Sequence, residues 1–386
     1  MKRFVWILVV LLAASPAWAA KKVTVQQLKD LLSQLQTQKK DDAAVSAELK
    51  QIELSEQLTR SAMNSLVNFV PGPYSTEQVY VLEAKSAILP SPATDLPSKP
   101  APDASLLAKA QDYASKIYAQ LPRLTATKTT ARFQDHMEAI AASSGMNGSA
   151  KEMSGAGLTV TADKFVRYIN SSETHVESQG GGEILPKTKD KTLWGANGMT
   201  TLQGQPPVLS TVLNEAQADG HIAFLRWENV NGKASAVYSY TVDKKKTHYN
   251  VQYCCFPNTE ATGTARFSNS MQNGGGAASA TGDMQTNTDW HPWKSKVPYH
   301  GEFFVDPDTG IVVRLVVEAD FKTSDIVHQE DHRFDYGPVT VGGKTLVVPL
   351  RSIVSTEVVI NGDNAVGGYK TRHTLLTSEY KDYAAQ

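Results

Sequence analysis

The spacing of apolar residues divides the chain into a helical first part and a longer part with two-residue periodicity. Between residues 24 and 88, apolar positions recur at helical spacing, and polar or proline-containing breaks separate them. We predict short helices over 24–36, 43–52, 55–70 and 76–88. Capping boxes open the first and last of them, at Thr24 with Gln27 and at Ser75 with Gln78. Such short helices bury their apolar faces only against each other or against a neighbouring domain.

A proline-rich segment, residues 90–103, follows these helices and predicts an extended linker. After it, a further amphipathic helix is predicted over 104–121, where Pro122 ends it. The apolar stripe of this helix includes Ala110, Ala114 and Ile117 at helical spacing.

Beyond Pro122 the apolar period changes from helical to two, which is typical of strands. Strands are predicted over 123–133, 165–176, 221–227, 234–242 and 247–255. One helix interrupts them at 208–216. The run Lys244-Lys245-Lys246 predicts a solvated hairpin turn, and the Gly-, Ala- and Ser-rich residues 272–283 predict a flexible loop.

The sequence Asp306-Pro307-Asp308-Thr309-Gly310 has strong turn chemistry and predicts a hairpin. Folding the chain there pairs Val305 with Ile311 and Glu302 with Arg314. In this register the apolar side chains of both strands share one face, as a stable hairpin requires.

Gly342-Gly343 predicts a second hairpin with Val339 opposite Leu346, and Asn361-Gly362 predicts a third turn. Successive hairpins indicate an antiparallel meander, which can curve into a half-barrel or close into a barrel. The predicted fold class is therefore α+β. A helical section precedes a large antiparallel sheet, and one or two helices pack on that sheet.

The first residues follow the three-part pattern of a secretory signal peptide. Lys2 and Arg3 precede an apolar run over 4–14, and Ala17-Trp18-Ala19 is a small-x-small cleavage site. The run is too short to span a bilayer, which takes about 20 residues. We therefore predict an exported, periplasmic or secreted protein. Its expected units are a signal peptide (1–19), a helical section (20–89), a proline-rich linker (90–103) and a β-rich domain (104–384).

The net charge adds little to this picture, because the chain contains 38 Lys and Arg residues and 39 Asp and Glu residues. This balance gives no electrostatic reason to expect a nucleic-acid partner or an anionic membrane surface. No later apolar run is long enough to span a bilayer, and no cysteine at the cleavage site offers a lipid anchor. The expectation is a protein without a transmembrane anchor.

Cys254 and Cys255 are the two cysteines of the chain. Cysteines of exported proteins usually pair, but adjacent Cα atoms lie about 3.8 Å apart, below the usual disulfide range of about 4.4–6.8 Å. Three interpretations stay open. The pair can be two free thiols, a vicinal disulfide that acts as a redox switch or rigid turn, or an intermolecular bridge.

His328, Glu330 and His332 alternate along a predicted strand and would project from one face. Neighbours at i and i+2 can share a metal ion, whereas the outer histidines would lie about 13 Å apart. The alternative is a solvated polar strand end. Together with His300, these histidines are the candidate set of a metal-dependent hydrolase. Because no nucleophile-elbow, phosphate-loop or dinucleotide motif is present, we predict no catalytic residue and no cofactor.

An ordered series of segments resembles a family of uncharacterised exported bacterial proteins over nearly the whole mature chain. These segments are 23–28, 58–59, 124–133, 236–240, 253–257, 299–302, 306–315 and 335–345. The resemblance implies no assigned activity. Relatives often carry a cysteine just before the proline where this chain has Val348 before Pro349, which puts any shared disulfide of the family in question here.

The helix ending at Leu121, the Thr-rich strand after it and the Val-Asp-Pro-x-Thr-Gly hairpin resemble lipoprotein-sorting carriers of the Lol type, roughly over 104–380. Those carriers wrap an antiparallel sheet over a lipid-binding cavity. The resemblance implies a curved sheet with a lipid or lipoprotein ligand. Our leading expectation is thus a non-enzymatic envelope protein that binds something hydrophobic. The alternatives are the metal-dependent hydrolase and a scaffold whose helical section, residues 22–89, docks a protein partner.

Overall fold

The computed structural model describes residues 21–92, 99–135, 166–184, 201–202, 206–219, 221–230, 232–257, 290–359 and 371–386. The predicted signal peptide, the predicted loop at 272–283 and the predicted turn at Asn361-Gly362 lie outside these ranges. Within them, no helix has the length and apolar character that crossing a membrane requires.

The N-terminal section is helical, as the apolar spacing predicts. Its helices are α1 (Val25–Thr37), α2 (Asp42–Leu49), α3 (Arg60–Leu66) and α4 (Pro73–Lys85). Thr24 caps α1 with both hydrogen bonds of the predicted capping box. The predicted second helix ends earlier and the third begins later than expected, because β1 (Lys21–Val23) and β2 (Ile52–Leu54) pair as a small parallel sheet. Apolar side chains from each of these elements form one cluster.

The start of α4 differs from the prediction. Gly72 is the N-cap and Pro73 occupies the first turn, where its missing N–H costs nothing. The carboxylate of Asp42 accepts hydrogen bonds from the backbone N–H groups of Tyr74 and Ser75, at 2.9 and 2.8 Å. The expected capping box at Ser75 with Gln78 is therefore wrong. A side chain from α2 satisfies the helix terminus instead.

Asp103 caps the next helix, α5 (Ala104–Asp112), by accepting from the backbone N–H of Ser105. The chain continues through a π-helical turn over Tyr113–Ile117 and a 3₁₀ turn over Tyr118–Gln120. A π turn is wider than an α turn, so it rotates the side chains that follow. Tyr118 is therefore buried, while the predicted stripe residue Ile117 is 60% exposed.

The rest of the described chain consists of strands and one helix, α6 (Leu209–Asp219). The strands are β3 (Leu124–Gln134), β4 (Arg167–Gln179), β5 (Gly182–Ile184), β6 (Thr201–Leu202), β7 (Ile222–Val230), β8 (Lys233–Val242), β9 (Asn250–Pro257), β10 (Trp290–Lys296), β11 (Tyr299–Val305), β12 (Val312–Ala319), β13 (Val327–Val341), β14 (Lys344–Val359) and β15 (Thr371–Ala385).

Ten of the described strands form one antiparallel sheet, in the order β5-β4-β3-β15-β14-β13-β12-β11-β8-β7. Strands β11 to β15 are neighbours in chain order, so the predicted meander is confirmed. The sheet ends in β5 on one side and β7 on the other and is not closed into a barrel. Strands β10, β9 and β6 form a separate three-stranded sheet. The predicted α+β class is confirmed. The large sheet does not form the closed barrel that was one of its predicted forms.

The hairpin registers agree with the sequence in one case and differ in another. Val339 pairs with Leu346 across the Gly342-Gly343 turn, as predicted. At the other hairpin, Val305 pairs with Val312 and a bulge follows, so the predicted partner of Arg314 shifts from Glu302 to Phe304. The lysine run 244–246 does not turn a hairpin, because β8 and β9 belong to different sheets.

The two faces of the large sheet are covered differently. On the face that we call the inner face, α5 and α6 share a core with β8, β11 and β12, which includes Tyr238, Phe303 and Leu315. On the opposite outer face, α4 packs through Val81 and Ala84 against β14, β15 and β3. The part of the inner face formed by β13, β14, β15, β3 and β4 borders a cavity instead.

Candidate functional site

This cavity has a volume of about 290 Å³. Side chains of β3, β4, β13, β14 and β15 line it, together with the turn between β4 and β5 and the residues just before α6. Its lining is predominantly apolar. The aromatic and aliphatic side chains in this lining include Phe334, Tyr336, Val354, Leu376, Tyr380 and Tyr383.

The sheet register explains how residues distant in sequence meet here. His332 pairs with Val354, Val354 with Leu376, and Leu376 with Arg132. Directly paired residues point to the same face of a sheet. These four side chains therefore form one row across the cavity floor, with two apolar residues between a polar end on β13 and a cationic end on β3. The row crosses three strand spacings, or about 14 Å.

Two cations, Lys128 and Arg132, and one carboxylate, that of Glu183, lie on the β3 side of the cavity. Lys128 and Arg132 are four residues apart on β3, so both face the cavity. The Lys128 Nζ atom lies 2.8 Å from the Glu183 carboxylate and 5.5 Å from the centre of the Tyr380 ring. Burial alone would lower the pKa of Lys128, but Tyr380 and Glu183 outweigh it and raise the pKa. Lys128 therefore stays cationic at neutral pH.

A buried polar cluster lies at the β13 end. The Nε2 atom of His332 is 2.8 Å from Glu330 Oε1 and 3.1 Å from Tyr249 Oη. Burial raises the pKa of Tyr249 well above its usual value and the Glu330 carboxylate adds to this, so the phenol keeps its proton. The His332 ring lies parallel to that of Phe334, with centroids 6.1 Å apart.

The structure brings together only two of the three residues in the predicted metal set. A bulge between Val327 and Gln329 interrupts the alternation, and His328 Nδ1 lies 3.9 Å from Glu357 rather than beside Glu330. His300 pairs with Asp320 at 2.9 Å. In the part of the chain that the structure describes, no three His, Cys, Asp or Glu side chains are placed to hold a metal ion.

Cys254 and Cys255 lie in β9, where Cys254 is opposite Thr201 of β6. Their side chains are outside the described part of the structure. The three interpretations of this pair therefore stay predictions.

Sequence reasoning singled out Glu330 and His332 but missed the apolar residues beside them. Val354, Leu376 and Tyr380 alternate along their strands with residues of the outer face, and the sequence shows this alternation. It shows that a strand has two faces but not which face borders a cavity, because that depends on where α5 and α6 pack.

Comparison with known proteins gives little further information. No family model matches the chain, and no curated protein matches it. Among solved structures, the chain is similar to a LolA superfamily protein from Nitrosomonas europaea, with 11% identity over 73% of this chain and 92% of that chain and a TM-score of 0.22. A similarity this low does not assign a function, and any function has to be inferred from the cavity.

Proposed function

We propose that this protein binds a hydrophobic chain, such as an acyl chain of a lipid or lipoprotein, in the cavity on the inner face of the sheet. The supporting observation is the apolar floor itself. Helices α5 and α6 cover one half of the inner face, whereas Leu376, Val354 and their aromatic neighbours in the other half border open space. Apolar concave surface with a few convergent polar groups is characteristic of ligand sites.

The size of the cavity sets a limit on the ligand. Ligand pockets typically measure about 300–1,000 Å³, and an engineered cavity of about 150 Å³ is enough to bind benzene. The observed 290 Å³ therefore fits a single chain of moderate length. The cations on β3, Lys128 and Arg132, would place an acidic headgroup at that side of the cavity.

Filling the cavity floor tests this proposal. We expect Leu376→Trp to weaken the binding of dodecanoic acid at least tenfold, because the indole occupies the middle of the floor that the chain would contact. Loss of a few buried CH₂ contacts at about 0.8 kcal/mol each is sufficient for that change. Isothermal titration calorimetry with the purified protein measures the affinity.

Leu225→Trp is the matched control, because Leu225 is 50% exposed on β7 and does not line the cavity. This variant should bind dodecanoic acid as the wild type does. Equal affinities in wild type, Leu376→Trp and Leu225→Trp would contradict binding at this floor.

The compartment follows from the proposed signal peptide at residues 1–19, and we propose that the protein works outside the cytoplasm. The division into a helical section and a β-rich domain at 90–103 likewise remains our proposal. A separate apolar cluster within the helical section supports it. The metal-dependent hydrolase and the scaffold are alternatives that no observed contact favours.

A further inference from the structure

Two atoms of the buried polar cluster lack the hydrogen bonds that buried polar atoms normally make. Glu330 Oε2 and His332 Nδ1 have no hydrogen-bond partner among the described residues. The side chains of Glu330 and His332 are only 1% and 5% exposed, and both line the cavity. Leaving such groups unpaired is costly, and native proteins rarely do so.

The donor and acceptor roles of these two atoms limit which ligand groups can form hydrogen bonds with them. With His332 neutral and its Nε2–H donated to Glu330 Oε1, both Nδ1 and Oε2 are acceptors. With His332 protonated, Nδ1–H becomes a donor while Oε2 remains an acceptor. A hydroxyl group can pair with the cluster in either state: it donates its one hydrogen to one of the two acceptors when His332 is neutral, and it accepts from Nδ1–H or donates to Oε2 when His332 is protonated. A hydrocarbon end fits neither.

The position of the cluster indicates where on the ligand this hydroxyl would be. Glu330 and His332 lie on β13, and the cations that suit an acidic headgroup lie on β3, about 14 Å away across the sheet. An extended alkyl chain advances roughly 1.3 Å per bond, as projected from a C–C length of about 1.5 Å. A chain of about twelve carbons therefore reaches from one end of the row to the other.

We propose that the cavity selects acyl chains that carry a hydroxyl group at the end remote from the carboxylate, and that Glu330 and His332 bind this hydroxyl. The inference rests on the proposed function and extends it by naming the ligand class. A purely apolar cavity would bind a hydroxylated chain more weakly than a plain one, because the buried hydroxyl would lose its hydrogen bonds to water without replacing them. The proposed site predicts the opposite order of affinities.

The test compares dodecanoic acid with 12-hydroxydodecanoic acid by isothermal titration calorimetry on the wild-type protein. We expect the hydroxylated acid to bind about tenfold more tightly, as one added hydrogen bond to a charged group can provide. In Glu330→Leu this preference should disappear or reverse. In Ser178→Ala, which removes a cavity-lining hydroxyl on β4, it should persist.

The ratio of the two affinities separates this inference from the proposed function. If dodecanoic acid binds but the hydroxylated acid binds equally or more weakly, the hydroxyl site is refuted and the hydrophobic cavity stands. If neither acid binds, the proposed function itself fails. A preference that survives in Glu330→Leu would also refute the assignment to Glu330. Should that variant not fold, Glu330→Gln keeps the side-chain shape and should reduce the preference.

Discussion

Replacing Asp335 with alanine is expected to lower the free energy of unfolding by about 3–5 kcal/mol, the usual cost of removing one partner of a buried ion pair. Asp335 Oδ1 lies 2.6 Å from Arg314 Nε, and Oδ2 lies 2.9 Å from Arg333 Nη2. The two arginine side chains are only 8% and 4% exposed. The substitution would leave both guanidinium groups without this carboxylate on the outer face.

Urea unfolding followed by circular dichroism measures this loss. Asp308→Ala is the matched control, because Asp308 is exposed in the 306–310 turn, where such a change typically alters stability by no more than about 0.5 kcal/mol. Losses of similar size in both variants would contradict a structural role for the ion pairs of Asp335.

The same carboxylate predicts a pH dependence. Burial alone would raise the pKa of Asp335, but Arg314 and Arg333 outweigh it and hold the pKa well below its usual value. Because the pKa of Asp335 is lower in the folded protein than in the unfolded chain, its ionised carboxylate stabilises the fold at pH values above the unfolded-state pKa of about 3.9. This stabilisation is lost as the pH falls toward the folded-state pKa. The stability difference between wild type and Asp335→Asn should therefore be constant near neutral pH and shrink below about pH 4.

Tyr118→Ala is the second substitution with a large expected effect, about 3–5 kcal/mol of lost stability. Tyr118 is 1% exposed and lies where the core under α5 meets the cavity. Its ring meets that of Tyr336, a cavity residue, edge to face with centroids 5.6 Å apart. Its hydroxyl donates to the backbone oxygen of Gly181 in the β4–β5 turn, at 3.2 Å. Removing the ring creates a void between core and cavity.

Tyr118→Phe separates packing from hydrogen bonding. It keeps the ring and loses the hydrogen bond from the hydroxyl to Gly181, so it should cost about 1 kcal/mol. Urea unfolding of the two variants side by side measures both effects. If Tyr118→Phe were as destabilising as Tyr118→Ala, the hydrogen bond rather than ring packing would dominate at this boundary.

Local patterns in the sequence predicted most elements of the fold, and the errors have identifiable causes. At the 306–310 turn, Ile311, Val312 and Val313 are three consecutive apolar residues, so alternation cannot distinguish neighbouring registers. The backbone N–H of Gly310 donates to the carbonyl oxygen of Asp306, and that of Asp306 donates to Ile311. With these two hydrogen bonds in the turn, Val312 rather than Ile311 lies opposite Val305.

Long-range contacts account for the other differences. Asp42 satisfies the first turn of α4 from another helix, and no local pattern around Ser75 shows this. The contact between the helical section and the sheet is equally invisible in the sequence. It includes the two hydrogen bonds that Arg351 donates to Glu83, at 2.7 and 2.8 Å.

The candidate site was only partly predictable for the same reason. The alternation at 328–332 drew attention to Glu330 and His332 and suggested a metal, but one bulge removes His328 from the set. The row from His332 to Arg132 joins four strands in an order that the chain does not follow. The pairing of the last strand, β15, with β3 completes the cavity floor.

Native mass spectrometry of the purified protein, mixed with dodecanoic acid, tests the proposed cavity most directly. We predict a complex of one protein with one fatty acid in the wild type and in Leu225→Trp, and a strongly reduced amount in Leu376→Trp. Absence of the complex in the wild type, or undiminished complex in Leu376→Trp, would contradict an acyl-chain site on the inner face.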